Sequence, residues 1–132
     1  MTIKIPTISL ITPSYNQSKF IEKTIKSIVG QKYPKLEYIV MDGGSTDGTL
    51  KILNKYNKYL KWFSEKDRGQ SHALNKALKM VSGDIIGYVN SDDCLLPGSL
   101  NKIADFFVKS DNAHWVTGKC RIIDENEHEV RK

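Results

Sequence analysis

The sequence has few of the features that mark several common classes of protein. Its two cysteines, Cys94 and Cys120, are too few and too widely spaced for a zinc pattern or a disulfide framework. Its longest apolar runs, such as residues 8–11 and 38–41, are far shorter than the ~20 residues that a transmembrane helix needs. Residues 1–12 also lack the apolar stretch and small-residue cleavage site of a secretory signal. We therefore expect a cytoplasmic location.

Positive charge is in excess, with a formal net charge of +5. Such a balance suits a phosphate-rich ligand, an anionic membrane surface or nucleic acid. The lysines are spread along the whole chain, however, without the aromatic interleaving or recognisable module of a nucleic-acid-binding protein. We interpret most of them as solvating helix faces and expect no nucleic-acid partner. Peripheral association with the inner face of a membrane stays open.

A chain of 132 residues has the length of one ordinary domain, and strand-like runs alternate with helix-like runs along it. Strands are predicted over residues 7–12, 36–41, 60–64, 85–89 and 115–123, and helices over residues 18–30, 49–56, 70–81 and 98–108. Ser18 is the expected N-cap of the first helix and Gly30 its stop. The fourth strand is apolar throughout, which predicts full burial. The alternation predicts an α/β fold with a mostly parallel sheet covered by helices on both faces.

Ligands of such sheets lie beyond the carboxyl ends of the strands, and residues 42–49 form a glycine-rich turn there. The turn is no Walker loop, because Gly48 is followed directly by Thr49 with no lysine between them. It also lacks the ligand spacing of a calcium loop. What remains is Asp42 at the end of an apolar strand, for which we favour contact with a base or ribose over a role in the turn. Asp47 is placed to cap the next helix.

Two further segments carry candidate groups for phosphate and metal. Asp92 and Asp93 are adjacent carboxylates just after the fourth strand, and a divalent cation bridging to phosphate would relieve their repulsion. A solvated acidic turn is the alternative. Before the third helix, Arg68 and backbone N–H groups near Gly69 would suit diphosphate oxygens. A surface ion pair of Arg68 with Asp67 is the alternative there.

In their order and spacing, these segments resemble the family 2 glycosyltransferases of the GT-A fold. The matching stretches are residues 12–16 (TPSYN), 39–49 (IVMDGGSTDGT), 67–75 (DRGQSHALN), 82–84 (SGD) and 90–93 (NSDD). The resemblance runs from about Thr7 to Ile123. It implies a Rossmann-like nucleotide-diphospho-sugar transferase fold in a single domain, residues 1–132, which corresponds to the N-terminal, donor-binding portion.

By this resemblance, the protein transfers a sugar with inversion from a nucleoside diphosphate donor, a UDP-sugar, to a hydroxyl of a glycan or lipid-linked acceptor in polysaccharide or cell-envelope synthesis. Tyr15 would pack on the base. The nucleotide contacts that the resemblance implies are Pro13, Tyr15, Asn16, Asp42, Asp67, Arg68, Gly69 and Ser91. Asp92, with Asp93 beside it, would bind Mg²⁺ or Mn²⁺ as the last residue of the family's Asp-x-Asp motif. Asn90 takes the first position of that motif, so one of its two carboxylates is replaced by an amide.

No catalytic residue is assigned from the sequence. Inversion by direct displacement needs a general base, which the family carries well beyond the Asp-x-Asp segment. We therefore expect a truncated piece of a longer enzyme that transfers no sugar by itself and self-associates through apolar surface near residues 115–123. The alternative from another class is a non-catalytic nucleotide-sugar-binding module. A nicotinamide-dependent oxidoreductase is disfavoured, because the Gly-x-Gly-x-x-Gly fingerprint is absent.

Overall fold

The computed structural model describes residues 4–130. The elements, in chain order, are β1 (Ile8–Ser14), α1 (Ile21–Val29), β2 (Leu36–Asp42), α2 (Thr49–Lys55), β3 (Lys61–Ser64), α3 (Gln70–Leu78), β4 (Ile85–Tyr88) and α4 (Ser99–Lys109). The sheet order is β3-β2-β1-β4, and each neighbouring pair is parallel. This confirms the α/β fold expected from the sequence.

Helices cover both faces of the sheet. Successive side chains of a strand point to opposite faces, so the strands contribute to a core on each side. On one face, α1, α2 and α4 contribute Ile25, Leu53 and Leu100 to the larger core. On the other face, α3 packs on β1 and β2 through Ala73 and Ala77. None of the helices within residues 4–130 combines the length and apolar character needed to cross a membrane.

The expected full burial of the fourth strand is wrong. β4 forms as an edge strand, and its Ile86 and Tyr88 are 50% and 61% exposed. Both side chains belong to the face on which α3 lies, but α3 covers β1 and β2 and does not extend over β4. An apolar run therefore predicted the strand correctly but not its place at the edge of the sheet.

The expected strand over residues 115–123 is also wrong. Within residues 4–130, the chain after α4 has only an isolated antiparallel bridge between Ile123 and Glu129. A run of suitable residues becomes a strand only when a neighbour supplies a hydrogen-bond ladder, and β4 is not paired on that side. Trp115 is 76% exposed. Self-association through this surface stays a prediction.

The ends of α1 agree with the sequence at one end only. Gly30 is the C-cap, as expected. Ser18, however, is not the N-cap, because the helix begins three residues later, at Ile21. The backbone N–H of Ser18 instead donates to Asp47 Oδ2 at 3.0 Å, which places Ser18 in the loop before the helix.

At the amino end of the sheet, a network of polar groups holds the start of β4. Glu37 Oε1 accepts hydrogen bonds from Ser9 Oγ at 2.6 Å and from the Ser82 N–H at 2.9 Å. Ser9 Oγ in turn accepts from the Gly83 N–H at 2.9 Å, and a Cβ on Gly83 would collide with that hydroxyl. The SGD stretch thus holds the sheet together at the end opposite the candidate site.

Candidate functional site

A cleft of about 580 Å³ opens at the carboxyl ends of β1, β2 and β4, where ligands of parallel sheets bind. Residues expected at the site that line the cleft are Pro13, Tyr15, Asp67, Gly69, Ser91 and Asp92. Expected residues outside its lining are Asn16, Asp42, Arg68 and Asp93. The fold therefore brings together side chains from the β1–α1, β3–α3 and β4–α4 loops, with the backbone of Gly43 from the β2–α2 loop.

The β1–α1 loop presents Tyr15 to the cleft with 59% of its surface exposed. Its neighbour Asn16 has a positive φ of 50° and is held by the β2–α2 loop. The Asn16 N–H donates to Ser45 Oγ at 2.8 Å, and Asn16 Oδ1 accepts from the Thr46 N–H at 2.9 Å. Asn16 thus fixes the position of Tyr15 from outside the cleft. Contact of Asn16 with a nucleotide stays a prediction.

The carboxylate of Asp42 is fully buried and serves the glycine-rich turn. Its Oδ2 accepts from the N–H groups of Gly44 at 3.0 Å and Ser45 at 2.8 Å, and from Ser64 Oγ at 2.7 Å. Its Oδ1 accepts from Ser45 Oγ at 2.5 Å. The geometry therefore gives Asp42 the turn role that we had ranked second. Contact of Asp42 with a base or ribose stays a prediction.

Asp47 holds the same turn from its other side. Its Oδ1 accepts from the Thr49 N–H and hydroxyl at 2.9 and 2.5 Å, so Asp47 bonds the first residue of α2 as expected, although the N-cap position itself is taken by Gly48. Burial by itself raises the pKa of Asp47. Hydrogen bonds from Thr49 and Ser18 outweigh burial and lower this pKa from 3.8 to about 2.

Asp67 lies across the cleft against the glycine turn. A Cβ on Gly43 would come within 2.9 Å of Asp67 Oδ2, so a larger residue at position 43 would require the carboxylate to shift. Asp67 Oδ1 accepts from the Gly69 N–H at 2.9 Å, and Gly69 has a φ of 109° that favours glycine. The two glycines allow the backbone to close around this carboxylate.

The basic group at the cleft is Lys66, not Arg68. Lys66 lines the cleft, whereas the exposed Arg68 does not. Within residues 4–130, Arg68 also forms no ion pair with Asp67. The backbone N–H of Arg68 donates to His72 Nδ1 at 3.0 Å, which gives that histidine a structural role at the start of α3.

The β4–α4 loop is held by α1 on its buried side and faces the cleft on its other side. The Ser91 carbonyl accepts from Thr24 Oγ1 of α1 at 3.0 Å, and Ser91 is buried. Asp92 is exposed on the cleft. Asp93 is exposed outside the lining, and its Oδ2 accepts from Asn90 Nδ2 at 3.3 Å. Of the two adjacent carboxylates, Asp92 is therefore the one that a ligand in the cleft can reach.

With this geometry established, the match to a family model decides the family. Residues 9–132 match the model described as glycosyl transferase family 2. The chain belongs to this family.

Members of family 2 with similar sequence or structure act on sugars. The chain is 37% identical, over 117 residues, to the putative teichuronic acid biosynthesis glycosyltransferase TuaG of Bacillus subtilis, with 86% of this chain and 46% of TuaG covered. The crystal structure of S. aureus TarS 1–349 with UDP-GlcNAc is similar with a TM-score of 0.75 and 32% identity, covering 80% of this chain and 32% of that chain. The mannosyltransferase PcManGT of Pyrobaculum calidifontis, in complex with GDP-Man and Mn²⁺, is similar with a TM-score of 0.68 and 32% identity, covering 78% and 32%.

These similarities establish the GT-A fold. The chain spans about half the length of TuaG and about a third of the TarS and PcManGT chains. A nicotinamide-dependent oxidoreductase is excluded by the family match.

The donor groups of this family 2 site fit a cation that is shared with a ligand. Within residues 4–130, no three His, Cys, Asp or Glu side chains come together as a metal site. Asp67 and Asp92 both line the cleft. Asp67 accepts a hydrogen bond from the Gly69 N–H and so holds that turn, whereas Asp92 is exposed. Mg²⁺ is usually bound by one or two carboxylates together with water and substrate phosphates, and Mn²⁺ also prefers oxygen ligands. The residues therefore fit such a cation.

Lining residues that sequence reasoning missed include Gln17, Lys66 and Gln70. Lys66 comes just after β3, so the rule about carboxyl ends of strands would have found it. The role of Gln70 could not be predicted from the sequence, because its hydrogen-bond partner, Asn90, lies 20 residues away.

Proposed function

We propose that the cleft binds a UDP-sugar together with Mg²⁺ or Mn²⁺, and that the protein transfers the sugar with inversion to an acceptor hydroxyl. The observation that carries the proposal is the set of residues that line one cleft, namely an aromatic residue, Tyr15, a basic one, Lys66, and an acidic one, Asp92. They match, in turn, a base, a diphosphate and a cation. The similar fold of TarS, whose structure contains UDP-GlcNAc, supports the assignment.

The base and ribose occupy the part of the cleft formed by β1 and the β2–α2 turn. Pro13 is buried there, and the exposed ring of Tyr15 offers a face for stacking, which contributes about 1–3 kcal/mol per base in nucleic-acid-binding proteins. Asp67, which lies beside Gly43 on this side of the cleft, supplies a carboxylate acceptor for a base N–H or ribose hydroxyl. Asp42 acts on the nucleotide through the turn that it holds.

The diphosphate lies toward α3 and the β4–α4 loop. Lys66 supplies positive charge, and the amino end of α3 reaches the cleft through Gly69 and Gln70, where the helix dipole favours anions. A cation held by Asp92 would neutralise the charge that develops on the leaving diphosphate oxygen. Ser91 fixes the loop from its buried side.

The acceptor belongs, in this proposal, to cell-envelope glycan synthesis, as the name of TuaG suggests for that relative. Residues 1–132 then form the donor-binding portion, and the general base and acceptor site lie in the part of the relatives that this chain does not span. A glycan or lipid-linked acceptor is consistent with a cytoplasmic enzyme that works at the inner face of the membrane.

Thermal denaturation with nucleotides tests the donor assignment. UDP should raise the melting temperature slightly without metal and clearly with Mn²⁺ or Mg²⁺, because the cation screens Asp92 from the diphosphate. A ligand at a hundred times its Kd stabilises a fold by about 2.7 kcal/mol. GDP tests the choice of nucleotide, and NAD⁺ is the negative control. If no nucleoside diphosphate stabilises the protein, with or without metal, the cleft is not a donor site.

A comparison of this chain with a protein of the length of its relatives tests transfer. The longer protein should move sugar from its donor to one member of a panel of glycan and lipid-linked acceptors, and the 132-residue chain should not. A positioned base contributes about 10²- to 10⁴-fold to such a step. Donor binding by the longer protein without transfer or donor hydrolysis would favour the non-catalytic binding module.

A further inference from the structure

An amide pair in the cleft has no part in the proposed chemistry. Gln70, the first residue of α3, donates from Nε2 to Asn90 Oδ1 at 2.5 Å. Asn90 Nδ2 donates in turn to Asp93 Oδ2 at 3.3 Å. Both amides line the cleft beside Asp92. A chain of hydrogen bonds thus runs from the amino end of α3 to the loop that carries Asp92.

The position of Asn90 in this chain requires both a donor and an acceptor. An asparagine amide has both, so it can accept from Gln70 and donate to Asp93 at the same time. An ionised carboxylate has acceptors only and would meet Asp93 with like charge. An aspartate at position 90 could also accept from Gln70, but it could not donate to Asp93, so the second link of this chain of hydrogen bonds is the one that requires the asparagine.

The Gln70–Asn90 bond completes the anchoring of the β4–α4 loop. On the side of α1, the loop is held by Thr24, which donates to the Ser91 carbonyl, and by Ser27 Oγ, which accepts from the Leu95 N–H at 3.1 Å. On the cleft side, Gln70 holds it through Asn90. Asp92 lies between these anchors, and within residues 4–130 no side chain donates a hydrogen bond to it. Its direction is therefore set by the loop.

We propose that Gln70 is a positioning residue, which acts through Asn90 to hold the Asp92 loop against the amino end of α3. The cation and the diphosphate would then meet at a fixed place. The ligand in this inference rests on the proposed function, whereas the hydrogen-bond chain itself needs no ligand.

The first arm of the test uses the protein without ligand. Backbone amide hydrogen exchange of residues 90–95 is compared between the wild type, Gln70→Ala and Asn75→Ala. Asn75 is a matched control, because it is an exposed amide on the same helix outside the cleft. Gln70→Ala should speed exchange in the loop about fivefold, the effect of one lost hydrogen bond, and the control should not. Unchanged exchange in Gln70→Ala would overturn the proposal.

The second arm measures UDP affinity by calorimetry for Gln70→Ala, Asn90→Ala and the double variant. Each single change should weaken binding with Mn²⁺ about fivefold and leave binding without metal unchanged, and the double variant should be no weaker than the weaker single one. Additive losses, or equal losses without metal, would overturn the positioning role, because Gln70 would then touch the nucleotide itself. If the wild type binds no nucleotide, the proposed function fails, and the exchange experiment alone decides on the positioning role.

Discussion

Two carboxylates at opposite ends of the sheet have different surroundings. Glu37 lies on β2 at the amino end, and Asp92 lies in the β4–α4 loop at the carboxyl end. Glu37 accepts from Ser9 Oγ, which joins β2 to β1, and from the Ser82 N–H, which joins β2 to the loop before β4. Asp92 is exposed on a cleft, and no side chain in the described part of the protein donates to it. A carboxylate whose partners come from its own chain stabilises the fold, whereas one without them is available to a ligand.

Asp42 sharpens this comparison. It lies at the carboxyl end of the sheet, as Asp92 does, but like Glu37 it accepts hydrogen bonds from the protein itself. It is fully buried, and the turn supplies hydrogen bonds to both of its oxygens. Position at a strand end therefore does not reveal the role of a carboxylate. The hydrogen-bond donors around it do, and for Asp42 these are its neighbours Gly44 and Ser45 together with the distant Ser64.

The largest expected effect is that of Asp42→Ala. The change leaves the buried Ser45 N–H and hydroxyl without an acceptor, so the free energy of unfolding should fall by about 3 kcal/mol or more. UDP binding should weaken with and without metal, because the turn is lost. Asp42→Asn, which keeps one carbonyl acceptor, should lose less in urea denaturation. An unchanged free energy of unfolding together with lost UDP binding would break the comparison and make Asp42 a ligand contact.

Asp92→Ala should have the opposite profile. Because Asp92 is exposed, the free energy of unfolding should change by no more than about 0.5 kcal/mol. The extra thermal stabilisation that Mn²⁺ gives to the UDP complex should vanish. Asp111→Ala, an exposed carboxylate outside the cleft, is the control and should keep the metal response. Metal dependence that survives in Asp92→Ala would assign the cation to another group.

The smallest expected effect concerns acid. The Ser9 hydroxyl and the Ser82 N–H lower the pKa of Glu37 below its ordinary value of 4.5. A group with a lowered pKa in the folded state stabilises the fold fully above its unfolded pKa, and this stability is lost as the pH falls through the folded value. Glu37→Gln should therefore make the loss of stability below about pH 4.5 shallower, by less than about 1 kcal/mol. Urea denaturation at several pH values measures the slope, and an unchanged slope would mean that Glu37 does not contribute as inferred.

Several parts of the fold and site were predictable because they depend on neighbours in the sequence. The alternation of apolar runs predicted β1, β2, β4 and the helices between them. The rule that ligands lie at the carboxyl ends of parallel strands predicted that the segments of Tyr15 and Asp92 would share a cleft, and the resemblance to the family added Asp67. The failures had a common cause. The exposure of Tyr88 and the absence of a strand after α4 depend on which elements lie beside β4, and no local pattern encodes that.

The sequence by itself determined the order of strands and helices, the glycine-rich turn and the family, since these follow from spacing along the chain and from motifs. Only the tertiary structure decided the role of each polar group in the site. It buried Asp42 in its own turn, brought Lys66 rather than Arg68 to the cleft, and joined Gln70 to Asn90. The reason is physical: a hydrogen bond or an exposed charge depends on distances of a few ångströms between residues far apart in the sequence, and folding alone sets those distances.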